Sequence, residues 1–237
     1  MINRALKLPL RFDPEQLRQD FAYCLTRPWT SHFNTADYAG SWTSLSLRSA
    51  SGRETDILAH DGPESYQDTP VLAHCPYFRA ILAQVRAPLQ AVRLLSLGPG
   101  SRIREHTDRQ TAYEYGCFRL HVPLQTGASV QFRVGGAELP MQVGECWYAN
   151  FHLPHSVRND GPTDRIHLII DGLRNAWSDD LFGRAGYDFA HEANVLAPSV
   201  ATKQQMLAEL DRLNTDAARQ LAAQLRHDLS RLIPTDA

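Results

Sequence analysis

The chain has 237 residues, a formal net charge of −2 and 43% hydrophobic residues. Such a near-neutral balance excludes a global basic field for nucleic acid, so any partner has to be inferred from local features. The length suits one large β-rich domain with helical extensions, and we expect a single domain over residues 1–237.

The start of the chain, MINRALKLPLRFDPEQ, lacks the apolar run of a secretory signal, and no stretch of about eighteen apolar residues could span a membrane. We therefore expect a cytoplasmic protein with no nucleic-acid partner and no membrane partner. The cysteines are widely spaced and form no C-x-x-C pair, which predicts reduced, mostly buried thiols and neither a disulfide framework nor a zinc site.

Residues 1–91 are predicted to form helices and strands that buttress a β-barrel. Asp13, followed by Pro14 and by Gln16 three residues after the Asp, is typical of a helix start. The alternating SWTSLSLRS, between His32 and Ala59, predicts one or two strands. Apolar residues at helical spacing predict another helix over Tyr77 to Val85.

Residues 92–172 contain a series of short strand-like runs separated by turn signals, with no helical periods between them. This pattern predicts an antiparallel jelly-roll barrel and argues against a βαβ sheet. The runs are VRLLSL, CFRLHVPL, SVQFRV, LPMQV, ECWYANF with HSVR, and RIHLIID.

Residues 173–237 are predicted to be a helical extension, because their leucines recur at helical spacing. This leucine stripe either covers the core or forms a subunit interface, so a homodimer through the C-terminal helix stays open. Its members are Leu207, Leu210, Leu213, Ala217, Leu221, Leu225 and Leu229.

His106 and Asp108 are two residues apart in REHTDR, and in an extended segment this spacing points both side chains to one face. Two metal ligands could converge there. The motif is short, and the alternative is a hydrogen-bonded loop pair.

The segment LPHSVRNDGPTDRIHLIID reads as two strands around an Asn-Asp-Gly turn, and we interpret it as a hairpin. His155 and Arg165 are equidistant from Asp160, so they are expected to lie opposite one another on neighbouring strands. His155 would complete a two-histidine, one-carboxylate set that leaves three positions of an octahedral iron(II) for 2-oxoglutarate and dioxygen. Arg165 has the chemistry to anchor the distal carboxylate of 2-oxoglutarate, the alternative being a salt bridge with Asp164 or Asp160.

Three more polar residues lie in otherwise apolar strands. Arg119 and His121 share one face of CFRLHVPL, and Arg93 is a cation in AVRLLSL. They are candidates to bind a carboxylate of the co-substrate or the substrate, and the alternative is that they pair with protein carboxylates or solvent. Neither His152 nor His167 is expected to be a metal ligand.

In family order, the segments LLSLGPGSRIREHTD, FRLHVPLQT, GECW, LPHSVRNDG and DRIHLIID resemble the aspartyl/asparaginyl β-hydroxylase family, a group of 2-oxoglutarate oxygenases that includes free-proline cis-4-hydroxylases. The similarity covers roughly Leu94 to Asp171. It implies a double-stranded β-helix with iron at its mouth, and an R-x-H strand that contacts carboxylates. By resemblance the metal ligands are His106, Asp108 and His155, the co-substrate anchor is Arg165, and the carboxylate contacts are Arg119 and His121.

Animal aspartyl hydroxylases of this family have Gly where this chain has Asp108, so the resemblance favours the bacterial small-molecule members and does not carry over peptide substrates. Halogenating relatives also replace this carboxylate, so Asp108 favours hydroxylation. The expected enzyme is an iron(II)- and 2-oxoglutarate-dependent dioxygenase acting on a free amino acid, or on an Asp-, Asn- or Pro-type residue in a peptide or on a carrier, with release of succinate and carbon dioxide. The alternatives are a non-oxygenase metal-binding cupin, acting as an isomerase or ligand-binding protein, and a noncatalytic protein that works through its leucine stripe.

Overall fold

The computed structural model describes residues 3–58, 65–196, 200–213 and 215–232. The chain forms two compact units, Met1–Phe189 and Ala190–Ala237. The organisation as one domain with a C-terminal extension stays a prediction. In the described part of the chain, no helix has both the length and the apolar character needed to cross a membrane.

Strands and helices follow one another in a largely segregated order, with the strands before residue 175 and the last helices after it. The strands are β1 (Ala5–Arg11), β2 (Thr30–Ser31), β3 (Tyr38–Ala39), β4 (Trp42–Ser49), β5 (Gln67–Asp68), β6 (Leu89–Leu97), β7 (Arg102–His106), β8 (Cys117–Gln125), β9 (Val130–Val134), β10 (Ala137–Glu138), β11 (Glu145–Ala149), β12 (His155–Asn159) and β13 (Arg165–Leu173). The helices are α1 (Pro14–Cys24), α2 (Pro70–Ala73), α3 (Pro76–Gln84), α4 (Ala176–Arg184), α5 (Phe189–Leu196), α6 (Val200–Arg212) and α7 (Asp216–Leu232), with a 3₁₀ turn at Tyr113–Tyr115.

Two antiparallel sheets form the body of the first unit. The eight-stranded sheet has the order β1-β11-β8-β13-β6-β4-β2, with β5 on β4, and the five-stranded sheet has the order β10-β9-β12-β7-β3. From β6 to β13 successive strands alternate between the sheets, except that β9 and β10 both belong to the smaller one. This alternation gives the double-stranded β-helix of a jelly roll. The predicted mostly β fold with flanking helices is confirmed.

The N-terminal segment does more than buttress the barrel, because four of its strands, β1, β2, β4 and β5, belong to the larger sheet. Strand β1 pairs with β11, and β4 pairs with β6. Helix α1 begins as predicted, since the carboxylate of Asp13 accepts hydrogen bonds from the backbone N–H groups of Glu15 at 2.8 Å and Gln16 at 3.2 Å. Helix α3 starts and ends within one residue of the prediction.

The central strands β8, β13 and β6 have an apolar face and a polar face, both buried. The apolar face packs on the helices, as shown by Leu94, Leu120, Val122, Leu168 and Ile170. Side chains of both sheets form a second, smaller apolar cluster that includes Leu97, Ile103, Phe132, Phe151 and Val157. The polar face of the central strands lies beside this second cluster and supplies the candidate site.

The hairpin predicted around Asp160 is wrong. Strand β12 pairs with β7 and β9 in the smaller sheet, whereas β13 pairs with β6 and β8 in the larger one. A tight two-residue hairpin of the Asp-Gly type needs positive φ at its central residues, and neither Asp160 nor Gly161 has one. The Asn-Asp-Gly segment instead carries the chain from one sheet to the other.

Two further expectations are corrected. LPMQV is not a strand, because Pro140 has no N–H for a ladder, and the nearest strand is β10. The leucine stripe does not lie on one helix, because α6 ends at Arg212, α7 begins at Asp216, and Leu213 follows the end of α6. Leu213 and Leu221 are exposed, and the side chain of Leu229 lies outside the described residues. The role of the stripe as core cover or dimer interface stays a prediction.

Candidate metal centre and anion pocket

Three side chains predicted as metal ligands converge at one end of the smaller sheet. His155 of β12 lies directly opposite His106 of β7, and their ring centroids are 4.2 Å apart. Asp108 follows the end of β7, where its backbone N–H donates to the carbonyl of Phe151 at 2.9 Å. One ligand atom from each of the three side chains lies within 4.8 Å of the other two.

Backbone contacts fix which nitrogen each histidine offers. The Nδ1 of His106 lies 2.8 Å from the carbonyl of Arg104, and the Nδ1 of His155 lies 3.0 Å from that of Leu153. A carbonyl only accepts, so each Nδ1 carries the proton and each Nε2 keeps its lone pair for a metal. Burial lowers the pKa of His155, which favours the neutral, metal-binding form.

The donor set fits a divalent transition metal. Two imidazoles and a carboxylate on neighbouring segments make the facial arrangement that non-haem iron(II) uses, with further positions left for exogenous ligands. A closed structural zinc site would require a fourth protein ligand. In the described ranges, no second group of three such side chains gathers in this way.

Arg165, at the start of β13, is a buried cation that lacks a carboxylate partner among the described residues. The residue is only 3% exposed, and its guanidinium lies 5.2 Å from the ring centroid of Phe132. Burial lowers the pKa of Arg165 to about 9, so it remains charged at neutral pH. Its Nε has no hydrogen-bond partner there. A buried guanidinium in this state is complementary to an anionic ligand.

Two neutral histidines, His167 and His121, lie beside Arg165, and we call these three residues the candidate anion pocket. The guanidinium of Arg165 donates to Nδ1 of His167 at 2.8 Å, and Nδ1 of His121 lies 3.3 Å from the same atom. Burial and the nearby charge of Arg165 hold the pKa of both histidines well below its ordinary value. The Nε2 of His121 is buried without a partner among the described residues.

The sequence reasoning did not identify His167 as a pocket residue. The signal was present, because His167 is two residues after Arg165 on the same strand and therefore on the same face.

Two adjoining cavities meet at the metal-ligand cluster. A cavity of about 60 Å³ is lined by His106, Asp108, His155, Arg165 and His121 together with Phe132 and Phe151. A larger cavity of about 420 Å³ shares His106, Asp108 and Arg119 with it and reaches Arg93 and the N-terminal segment. Although β12 and β13 belong to different sheets, His155 and Arg165 therefore face the same small cavity.

Arg93 and Arg119 both pair with one buried carboxylate that the sequence reasoning did not single out. Asp171 accepts from Arg119 Nε at 2.6 Å and Nη2 at 3.1 Å, and from Arg93 Nη2 at 2.8 Å. Arg119 Nη1 also donates to Asp108 at 3.3 Å. Burial opposes the charge of Arg119, but attraction to Asp171 outweighs it and raises the pKa of Arg119. The alternative left open by the sequence, that Arg93 and Arg119 pair with protein carboxylates, is the arrangement in the structure.

Aromatic side chains of the N-terminal segment form another wall of the larger cavity. The rings of His32 and Trp42 are stacked with centroids 3.5 Å apart and planes at 8°. Burial, and then the charge of Arg93, lower the pKa of His32 to about 4, so its ring is neutral. No sequence pattern indicated these two residues, because their position depends on the pairing of β4 with β6.

Comparison with known proteins gives a family match over most of the chain. A family model described as aspartyl/asparaginyl beta-hydroxylase matches residues 12–175. L-proline cis-4-hydroxylase of Rhizobium meliloti (strain 1021) is 27% identical over 168 residues, which cover 68% of this chain and 58% of the relative. The chain thus matches somewhat more than half of that protein's length.

Among solved structures, an oxidoreductase of the 2OG-Fe(II) oxygenase family from Burkholderia pseudomallei has a similar fold. The similarity covers 72% of this chain and 85% of the other, with 15% identity and a TM-score of 0.50. At this identity the likeness concerns the double-stranded β-helix alone.

Proposed function

Because the chain belongs to the aspartyl/asparaginyl β-hydroxylase family, we propose that it is an iron(II)- and 2-oxoglutarate-dependent dioxygenase that hydroxylates a carboxylate-bearing substrate. This proposal rests on the closeness of the predicted metal ligands to Arg165. A three-ligand cluster and a buried guanidinium without a carboxylate partner among the described residues line the same small cavity.

His106, Asp108 and His155 would hold the iron, through the Nε2 atoms that the backbone contacts leave free and through the carboxylate. When bound, iron(II) supplies the redox chemistry that activates dioxygen while 2-oxoglutarate is converted to succinate and carbon dioxide. The protein's own work is to bind, orient and exclude water.

Arg165 would bind the distal carboxylate of 2-oxoglutarate. Its guanidinium is planar and fixed by the contact with His167, so it can present two N–H groups to one carboxylate. His121 lines the same cavity, and its Nε2 has no partner among the described residues, which leaves it available to the co-substrate. Phe132 and Phe151 cover the cavity with apolar surface that limits access of water.

The substrate would lie in the larger cavity, with its anionic group toward Arg93 and Arg119. These two guanidiniums share one carboxylate, Asp171, so one positive charge is left over for a ligand once Asp108 serves a metal. The relative from Rhizobium meliloti is an L-proline cis-4-hydroxylase, which makes a free amino acid the first class to test. Peptide and carrier-bound residues are the further classes.

The test is an anaerobic titration of the metal-free protein with iron(II) and 2-oxoglutarate. An oxygenase of this kind develops the visible charge-transfer absorption of a chelated 2-oxo acid, and Arg165→Ala should lose it at the same ligand concentration. Arg158→Ala is the matched control, because Arg158 lies on β12 but its side chain is exposed and paired with Asp160.

Bound metal without the absorption band would overturn the oxygenase and favour the metal-binding cupin. A band followed by slow succinate formation in air, abolished in Asp108→Ala, supports the proposal. Stimulation of this turnover by L-proline, L-aspartate, L-asparagine or peptides containing them then identifies the substrate class.

A further inference from the structure

We infer that Asp171 is a positioning residue that acts through Arg119 on Asp108, so that a single oxygen of the Asp108 carboxylate faces the metal site. The inference rests on the metal site of the proposed function. Asp171 itself neither ligates the metal nor binds the co-substrate in that proposal.

Asp171 holds the guanidinium of Arg119 through two hydrogen bonds. Asp171 and Arg119 lie opposite one another in the β8–β13 ladder, and the carboxylate accepts from Nε at 2.6 Å and from Nη2 at 3.1 Å. Their side chains are 9% and 17% exposed. A planar guanidinium held at two nitrogens cannot turn about its axis, so the direction of Nη1 is fixed.

The third nitrogen of the Arg119 guanidinium, Nη1, contacts Asp108. Nη1 donates to Oδ2 of Asp108 at 3.3 Å, whereas Oδ1 lies 3.7 Å from Nε2 of His106, the nitrogen left for a metal. The two carboxylate oxygens thus have different partners. With Oδ2 engaged, Oδ1 is the oxygen offered to the metal.

The Asp108 carboxylate needs a partner that fixes its orientation. Asp108 follows the end of β7, and its side chain is 35% exposed, so its own strand does not fix the carboxylate. A carboxylate free to turn could take two metal positions and leave fewer for the 2-oxo acid and dioxygen. Asp171 also offsets one of the two guanidinium charges beside the metal, which limits repulsion of a divalent cation.

The other guanidinium, that of Arg93, holds Asp171 in place. Arg93 donates to Asp171 at 2.8 Å through Nη2 and to the carbonyl of Ile57 at 2.8 Å through Nη1. Asp171 is therefore fixed between two strands, β6 and β8, that flank its own strand. This explains a buried carboxylate on the cavity side of β13 that touches neither the metal ligands' imidazoles nor Arg165 directly.

The experiment is a titration of the metal-free protein with cobalt(II), without 2-oxoglutarate, followed by visible absorption and calorimetry. Loss of an outer partner of a metal ligand typically weakens metal binding by about 10–100-fold. We expect this loss in Asp171→Asn, together with a changed ligand-field spectrum. A purely structural role for Asp171 would leave both readouts unchanged in the folded variant.

Glu145→Gln is the matched control. Glu145 is likewise a buried carboxylate, 5% exposed at its side chain, and it pairs with two cations, Lys7 and Arg11. It lines neither cavity at the metal ligands. We expect this variant to lower the unfolding midpoint without changing the cobalt(II) affinity.

Arg119→Lys keeps the positive charge but has a single nitrogen, so Asp171 cannot hold it at two nitrogens while a third reaches Asp108. This variant should weaken cobalt(II) binding to a similar extent. The double variant, Asp171→Asn with Arg119→Lys, should bind cobalt(II) no more weakly than the weaker single variant, because both substitutions act on one contact. If Asp171→Asn does not fold, Arg119→Lys decides. Wild-type affinity in a folded variant, or additive losses in the double variant, overturns the inference alone, whereas a wild-type protein that binds no cobalt(II) overturns the proposed metal site as well.

Discussion

Arg165 illustrates a conflict between stability and binding within one residue. Its guanidinium is buried beside Phe132, and among the described residues its side chain hydrogen-bonds to the neutral His167 alone. The charge is therefore unfavourable in the ligand-free fold, and an anionic ligand would relieve this cost. Burial, and then the charge of Arg165, likewise keep the pKa of His121 and that of His167 well below the ordinary value, so both rings stay neutral.

Arg165→Met removes this charge while keeping most of the volume of the side chain. Removing a poorly satisfied buried charge should raise the free energy of unfolding of the ligand-free protein by about 1–3 kcal/mol. Urea unfolding measures this change. Iron(II) should still raise the thermal unfolding midpoint of this variant, but adding 2-oxoglutarate should raise it no further. In the control Arg158→Met, the free energy of unfolding should change by no more than about 0.5 kcal/mol. The thermal shift that 2-oxoglutarate causes should be that of the wild type. A clearly destabilised Arg165→Met would mean that the guanidinium has a stabilising partner.

At the scale of elements, the connection from β12 to β13 determines whether His155 and Arg165 share a cavity. Asn159 is fully buried at this crossing. Its amide donates to the carbonyls of Leu97 at 2.9 Å and Thr163 at 2.8 Å, and its Oδ1 accepts from Gly161 N–H at 3.0 Å. One side chain thus ties both ends of the crossing to β6.

Asn159→Asp preserves the shape and removes both amide donors, leaving a buried carboxylate that faces two carbonyl oxygens. We expect a loss of roughly 2–4 kcal/mol in the free energy of unfolding, together with weaker 2-oxoglutarate binding. Asp160→Asn, at the exposed neighbouring position, is the control and should have little effect on either. Equal stability of the two variants would show that the crossing does not depend on the Asn159 amide.

At the scale of the whole molecule, His121 and His167 are buried and His32 is partly buried, all without charge, in a chain that is almost neutral. The pKa of His121 and that of His167 lie well below the ordinary value because of burial, and the pKa of His32 is about 4 for the same reason. In the unfolded chain these groups take up protons below about pH 6.5. The unfolded state then binds more protons than the folded state, so acid favours unfolding.

Stability should therefore fall as the pH decreases through 6.5, by up to about 1.4 kcal/mol per pH unit for each such histidine. From pH 7.5 to 5.5 we expect a loss of about 2–4 kcal/mol, measured by urea unfolding of the metal-free protein. His167→Asn should reduce this loss by about 1 kcal/mol, and the exposed His152→Gln should leave it unchanged. A stability that is flat over this range would contradict the neutral, buried state of these rings.

Local features of the sequence determined much of the fold. The start of α1 at Asp13 and the inward direction of Arg119 and His121 on β8 follow from capping and from the two-residue period of a strand. Most strand positions, and the segregation of strands from the last helices, follow in the same way. The short spacing of His106 and Asp108 marked the site, because both residues lie on one short segment.

The tertiary structure alone decided which distant residues meet. The chain crosses between sheets at Asn159, so His155 and Arg165 meet across a cavity and not along a ladder. The pairing of Asp171 with Arg119, and the aromatic wall at Trp42, likewise depend on which strands become neighbours. Strand pairing and turn conformation are set by packing over the whole sheet, and this information is not contained in the period of any single segment.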